Sequence, residues 1–264
     1  MSGKGENLGR LVDVIRRLLG PGGCPWDRKQ THESLRPYLV EETHEVLEAI
    51  DSGDPRELCS ELGDLLMQVV FHAELERERG TFELDDSIDS IADKLIRRHP
   101  HVFGDEPSDD GLLDADRWEE LKKKEHGERS LFDGVPRSLP ALRRAQSIGE
   151  RLARVGFDWD DAQGPRDKID EELGELDHAI GSKDRESIEH ELGDVLLSTV
   201  NLARHLEIDA EDALRGALRR FETRFGAVEE NLAAEGKEAR ECSIDELEAQ
   251  WQSAKRQLEG ANSS

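Results

Sequence analysis

The chain has 264 residues, 61 acidic and 36 basic, for a formal net charge of −25. That length allows one large or two medium domains, each with its own core. The charge is spread evenly, about −13 over residues 1–130 and about −12 over the rest. It argues against nucleic acid or an anionic membrane as partner. An anionic ligand would need a bound cation or a local basic cluster.

Hydrophobic residues make up 35% of the chain and charged residues 37%, with one Tyr and seven Phe. The apolar residues recur at helical spacing, so the composition reads as helical rather than disordered or strand-rich. Cys24, Cys59 and Cys242 lie far apart with no CxxC pair, which suggests neither a disulfide framework nor a zinc site. No apolar run approaches the roughly 18 residues of a membrane span, and MSGKGENLGR lacks the apolar core of a signal segment. A reducing cytoplasm is the expected setting.

In chain order, a first helix is predicted over about 6–19, followed by the Trp-containing loop GGCPWD. A second helix covers 33–51, a turn DSGDP reverses the chain, and a long third helix covers 55–79. A fourth is expected over 85–98 and a fifth over 114–125. The stretch 126–140, HGERSLFDGVPRSLP, has the Gly, Pro and Ser content of a connector. The same order then returns: helix 139–155, loop GFDWDD, helix 166–181, turn GSKD, and helices 185–206, 209–233 and 244–258. This divides the chain into an N-terminal helical domain (1–125), a linker (126–140) and a C-terminal helical domain (141–264).

The recurrence is a repeat in the strict sense. A shift of 130 lays residues 41–73 over 171–203 without a gap, with 14 identities in 33 positions. Ala-Ile, Ser-x-Asp and the Leu-Gly inside ELGD match as well as the acids, so the likeness is not one of composition. The predicted fold class is all-α, two tandem four-helix-type units arising by duplication.

The acids of the second helix are Glu41, Glu42 and Glu45, repeated as Glu171, Glu172 and Glu175. Spacings of three and four put them on one face. In the third helix Glu61 and Asp64 are three apart, as are Glu191 and Asp194, beside the stripe Leu62, Leu65, Leu66, Val69, Val70 and Ala73 or its copy Leu192, Val195, Leu196, Val200 and Ala203. Antiparallel packing across the turn brings the two acidic stretches face to face. Four carboxylates converging beside a core cost several kcal/mol each in lost hydration and repulsion, roughly, and a divalent cation relieves that cost. Oxygen-only donors favour Mg²⁺, with Mn²⁺ as a substitute, over zinc. Any one of these acids alone would read as a solvated surface charge; the set, repeated in register, does not.

EExxE followed about 16 residues later by ExxD resembles the signature of the all-α nucleoside triphosphate pyrophosphohydrolase family. GGCPWDRKQTHESLRPYLVEETHEVLEAI, RRHPHVFGD, PRSLPALRRAQ, VGFDW and VNLARH are similar to its tandem-domain MazG branch, over nearly the whole chain. The resemblance implies a homodimer, several Mg²⁺ ions, and hydrolysis of nucleoside triphosphates, ATP included, to monophosphate and diphosphate. It also implies little base preference and a role in cleansing or draining nucleotide pools.

The two halves differ where a triphosphate would need cations. Lys168, one turn before Glu171, has Tyr38 as its partner in the first copy. ALRRFETRF sets Arg220 and Arg224 one turn apart, whereas Pro100 interrupts the matching KLIRRHPHVF. Asn201, seven residues after Asp194, is placed to reach a sugar or base, and its partner is Phe71. Both last helices carry Trp-x-x-x-Lys, Trp118 with Lys122 and Trp251 with Lys255. Trp251 suits stacking on a base, though a buried or interface tryptophan has the same spacing, and surface ion pairs would equally use Arg220 and Arg224. The resemblance makes the C-terminal half the competent one and matches Lys168, Glu171, Arg220, Arg224, Trp251 and Lys255 to nucleotide binding. Glu171 and Glu172 are the candidates for activating the attacking water, with the sequence not choosing between them, and metal ligation falls to Glu172, Glu175, Glu191 and Asp194. Glu42, Glu45, Glu61 and Asp64 form a second, non-catalytic metal set.

Two rival readings are separable. Glu41-Glu-Thr-His44 fits the Glu-x-x-His ligand pair of di-iron carboxylate bundles, but Gly174 replaces His44 in the second copy, and Glu175-Leu-Asp-His178 is four residues out of register. A non-enzymatic helical scaffold would carry the same repeat; pyrophosphate release distinguishes it.

Overall fold

The computed structural model describes residues 4–103 and 130–261, and among these every regular element is a helix. The chain divides into two compact units, one within Met1–His126 and the other within Gly127–Ser264.

The first unit contains α1 (Lys4–Leu19), α2 (His32–Ser52), α3 (Pro55–Arg79), α4 (Leu84–Arg98) and the short α5 (Pro100–Phe103). Thr31 caps α2 through a reciprocal pair with Ser34. The turn into α3 uses Gly53 in the left-handed region (φ 71°), Asp54 accepting from the Arg56 amide, and Pro55 in the first helical turn. So short a turn lays α3 back along α2. The core gathers Val12, Ile15 and Leu19 of α1, Leu35 of α2, Val70, Phe71 and Ala73 of α3, and Leu84.

The second unit repeats the plan with α6 (Ala141–Ala153), α7 (Gln163–Ser182), α8 (Arg185–His205), α9 (Ala210–Ala234) and α10 (Ile244–Ala261). α7 packs along α8, α6 against α8, and α9 against α10. Here Lys183 takes the left-handed position (φ 60°) that Gly53 fills in the first copy, and Asp184 caps α8. Val228, Leu232 and Ala254 form a core between α9 and α10.

The predicted helices are present wherever the structure describes them. The expected helix 114–125, Trp118, Lys122 and the start of the connector lie outside the described residues. The apolar stripe is the main departure from expectation. Val70 and Ala73 are buried, but Leu62, Leu66 and Val69 are exposed, as are Leu192 and Leu196 in the copy. α3 and α8 therefore turn only part of their apolar surface inward. No described helix is long and apolar enough to cross a membrane, and Cys24, Cys59 and Cys242 are all free thiols.

Candidate active site

Each acidic set sits where two antiparallel helices run side by side. In the second unit α7 supplies Glu172 and Glu175 and α8 supplies Glu191, and one oxygen from each lies within 4.8 Å of the other two. Glu172 is only 4% exposed, and it faces the helix pair because it lies a turn from Ile169 and Leu176 on α7. Asp194 is half-buried on α8, and His190 Nδ1 lies 3.1 Å from its Oδ2 and 3.5 Å from Glu191 Oε1. In the first unit Glu42, Glu45 and Glu61 meet the same 4.8 Å limit.

A cluster of like charges this tight suits a small divalent ion, since coordinating oxygens around Mg²⁺ stand only a few ångströms apart. The first unit shows the cost of leaving the charges together. Burial pushes the Glu42 carboxyl above its ordinary range; the Gln68 amide, 3.5 Å away, offsets part of this, and Asp64 and Glu45 add to it. Glu61 is raised too, by burial first and then by Glu45, Asp64 and Glu57. The donors are all carboxylates, and the chemistry of the set fits Mg²⁺ or Mn²⁺.

The second unit handles the same repulsion with a cation of its own. Lys168 Nζ lies 2.6 Å from Glu172 Oε1 and 2.9 Å from Glu171 Oε1, one helical turn away. The hydrogen bond to Glu172, and then that to Glu171, hold the Lys168 ammonium above its usual range. Tyr38 stands at this register in the first copy, edge-on to Trp26 at 6.0 Å, and brings no charge.

The remaining predicted residues fall into two other places. Trp251 of α10 is half-buried against the α9–α10 core, with the Phe221 ring 4.9 Å from it and the Arg224 guanidinium 5.8 Å from its centroid. Arg220 is exposed one turn earlier on α9, and Lys255 is half-buried one turn later on α10. Among the described residues, no hydrogen bond, ion pair or ring contact joins Arg220, Arg224, Trp251 or Lys255 to the carboxylates. Asn201 is half-buried beside α6: a Cβ on Gly149 would lie 2.9 Å from its Oδ1.

Two features escaped the sequence reading. His190 adjoins the acids and is legible as the residue four before Asp194 on one helix. The other is Asp158 of the VGFDW loop, which receives both Nη atoms of Arg204 at 2.7 and 2.5 Å and lies 3.0 Å from His205 Nε2. The Arg204 hydrogen bonds lead in pulling its carboxyl down to about 2. This clamp fixes the loop after α6 to the end of α8, and Trp159 packs over Gly164, where a Cβ would lie 2.2 Å from the ring.

The MazG nucleotide pyrophosphohydrolase domain matches residues 30–103 and again 165–228, together more than half of the chain. The chain belongs to the MazG family. Both matched stretches contain an acidic set, so the internal repeat is a repeat of the MazG domain. The chain is 47% identical to the nucleoside triphosphate pyrophosphohydrolase/pyrophosphatase MazG of Thermotoga maritima, over 93% of this chain and 94% of that one. It is 45% identical to the nucleoside triphosphate pyrophosphohydrolase of Escherichia coli, over 96% and 98% respectively. A Bacillus subtilis protein, YabN, matches at 42% over 92% of this chain and 50% of its own length.

Proposed function

We propose that this chain hydrolyses nucleoside triphosphates to monophosphate and diphosphate with Mg²⁺, at the α7–α8 site, with broad base tolerance and a role in clearing nucleotide pools. The observation that carries this reading is the trio Glu172, Glu175 and Glu191 with oxygens within 4.8 Å of one another, beside a lysine able to meet a phosphate. Two full-length MazG-family relatives carrying the pyrophosphohydrolase name support it.

Glu172, Glu175, Glu191 and Asp194 would hold the ion, with Mn²⁺ as a substitute. Bound there, it would neutralise charge on the phosphoryl oxygens and the departing diphosphate. Glu171 is exposed and suits orienting or deprotonating the attacking water, a task shared with Glu172. Lys168 reaches the triphosphate from the start of α7. Arg220, Arg224, Trp251 and Lys255 line α9 and α10 with the positive and aromatic groups that phosphates and a base require, and Asn201 serves the sugar or base. The first unit keeps its acids but has Tyr38 in place of Lys168 and a helix broken at Pro100, so it binds metal without effective turnover.

We further propose a homodimer, which would cover the exposed Leu192 and Leu196 and their counterparts; sedimentation equilibrium would check it. The activity is tested by assaying a panel of ribo- and deoxyribonucleoside triphosphates for pyrophosphate against orthophosphate, with Mg²⁺ and with chelator. Pyrophosphate from several bases, lost with chelator, is expected. Orthophosphate, or no turnover, contradicts the reading.

A further inference from the structure

The acidic sets of the two units have the same carboxylates in the same register but differ in what neutralises them. In the second, Lys168 Nζ sits 2.6 Å from the oxygen of Glu172, the most buried member of the trio. The partner position in the first holds Tyr38, and among the described residues Glu42 is met there by the neutral amide of Gln68 and by Glu45, with no ammonium beside it. A divalent ion entering the second set would therefore meet an ammonium already bonded to one of its ligands.

We propose that Lys168 is an internal counterion that competes with metal for Glu172, so that the second site takes up its ion together with the triphosphate while the first binds metal alone. The proposal rests on the pyrophosphohydrolase reading of the α7–α8 site and adds an order of binding to it. Lys168 has a second partner in Glu171, 2.9 Å away, so releasing Glu172 does not strand the ammonium. An arriving triphosphate offers it several anionic oxygens, and the vacated Glu172 oxygen becomes available to the ion. Without nucleotide, a doubly charged ion placed a few ångströms from a fixed ammonium is repelled. That repulsion weakens binding by about tenfold or more even under strong solvent screening. Lys168 acts here as a positioning residue: it decides when Glu172 is free.

The test uses the full chain and Mn²⁺, with the loss of the free-ion electron paramagnetic resonance signal reporting binding. Lys168→Met is expected to tighten Mn²⁺ at one site by about tenfold in the absence of nucleotide, and Glu172→Gln in the same background is expected to remove that gain. Lys168→Arg should keep the weak wild-type binding, which separates charge from folding. A non-hydrolysable triphosphate analogue should tighten Mn²⁺ on the wild type far more than on Lys168→Met. Installing the charge in the first unit with Tyr38→Lys should weaken one wild-type Mn²⁺ site. Unchanged or weaker Mn²⁺ binding by Lys168→Met, in a protein whose wild type releases pyrophosphate, overturns the proposal and leaves the functional reading intact. A wild type that neither binds Mn²⁺ nor releases pyrophosphate overturns both.

Discussion

At the end of the third helix of each unit the repeat places Glu74 in the first copy and Arg204 in the second, and the surroundings have adjusted to opposite charges. Glu74 is fully buried and is gripped by Arg16 of α1 at 2.9 Å and by Arg77 at 2.5 Å. Burial alone would push its carboxyl up, but the two guanidiniums together hold it below its ordinary range. In the second copy the long Arg204 side chain occupies this place. α6 makes room with Gly149, where a Cβ would lie 2.9 Å from Arg204 Nε, and Asp158 supplies the opposite charge from the loop. Duplicated helices can thus exchange the sign of the charge at one register position, buried as Glu74 and half-buried as Arg204, provided the partner moves to another element. The lesson extends to the sites, where Lys168 faces carboxylates that the first copy leaves to Gln68.

Glu74→Ala removes the shared partner of two partly exposed guanidiniums and should destabilise the first unit by about 2–3 kcal/mol, the scale of charge-assisted hydrogen bonds. Pyrophosphate release from the second unit should survive it, and a denaturation curve followed alongside turnover checks both. Asp158→Asn should cost the second unit about 2 kcal/mol, the worth of a carboxyl held at about 2 rather than at its ordinary value. Because that pKa is depressed, the contribution is complete above about pH 4 and is lost as pH falls towards about 2. Acid unfolding of wild type and Asp158→Asn should converge there. Gly149→Ala should cost roughly 1–2 kcal/mol by crowding Arg204 and Asn201, whereas Arg16→Ala tests the equivalent contact in the first copy. Smallest and opposite in sign, Lys183→Gly should stabilise the second unit by about 0.5–1 kcal/mol, since glycine takes a left-handed backbone without strain. Thermal midpoints measured on these three variants would settle the last cases.

Much of this was legible in the chain itself. The turn between α2 and α3 followed from Gly53, Asp54 and Pro55, local signals that need no tertiary information, whereas the Thr31 cap emerged only in the structure. The gathering of Glu172, Glu175 and Glu191 followed from spacing plus a turn too short for anything but antiparallel packing. What could not be read was which apolar face turns inward. Leu62 and Leu66 have the same periodicity as Val70, yet only Val70 is buried, because that choice depends on which face α1 covers. Nor could periodicity place Arg224 over Trp251, a contact between helices whose crossing no local rule specifies. The Asp158–Arg204 clamp joins residues 46 apart in sequence, beyond the reach of any spacing argument.

The division of labour between the copies is tested most directly by paired neutralisation of equivalent carboxylates. Pyrophosphate release from a nucleoside triphosphate should be measured at saturating Mg²⁺ for Glu172→Gln and for Glu42→Gln. The account predicts that turnover is abolished by the first and largely kept by the second, with both proteins folded by circular dichroism. Equal losses from the two substitutions would contradict it.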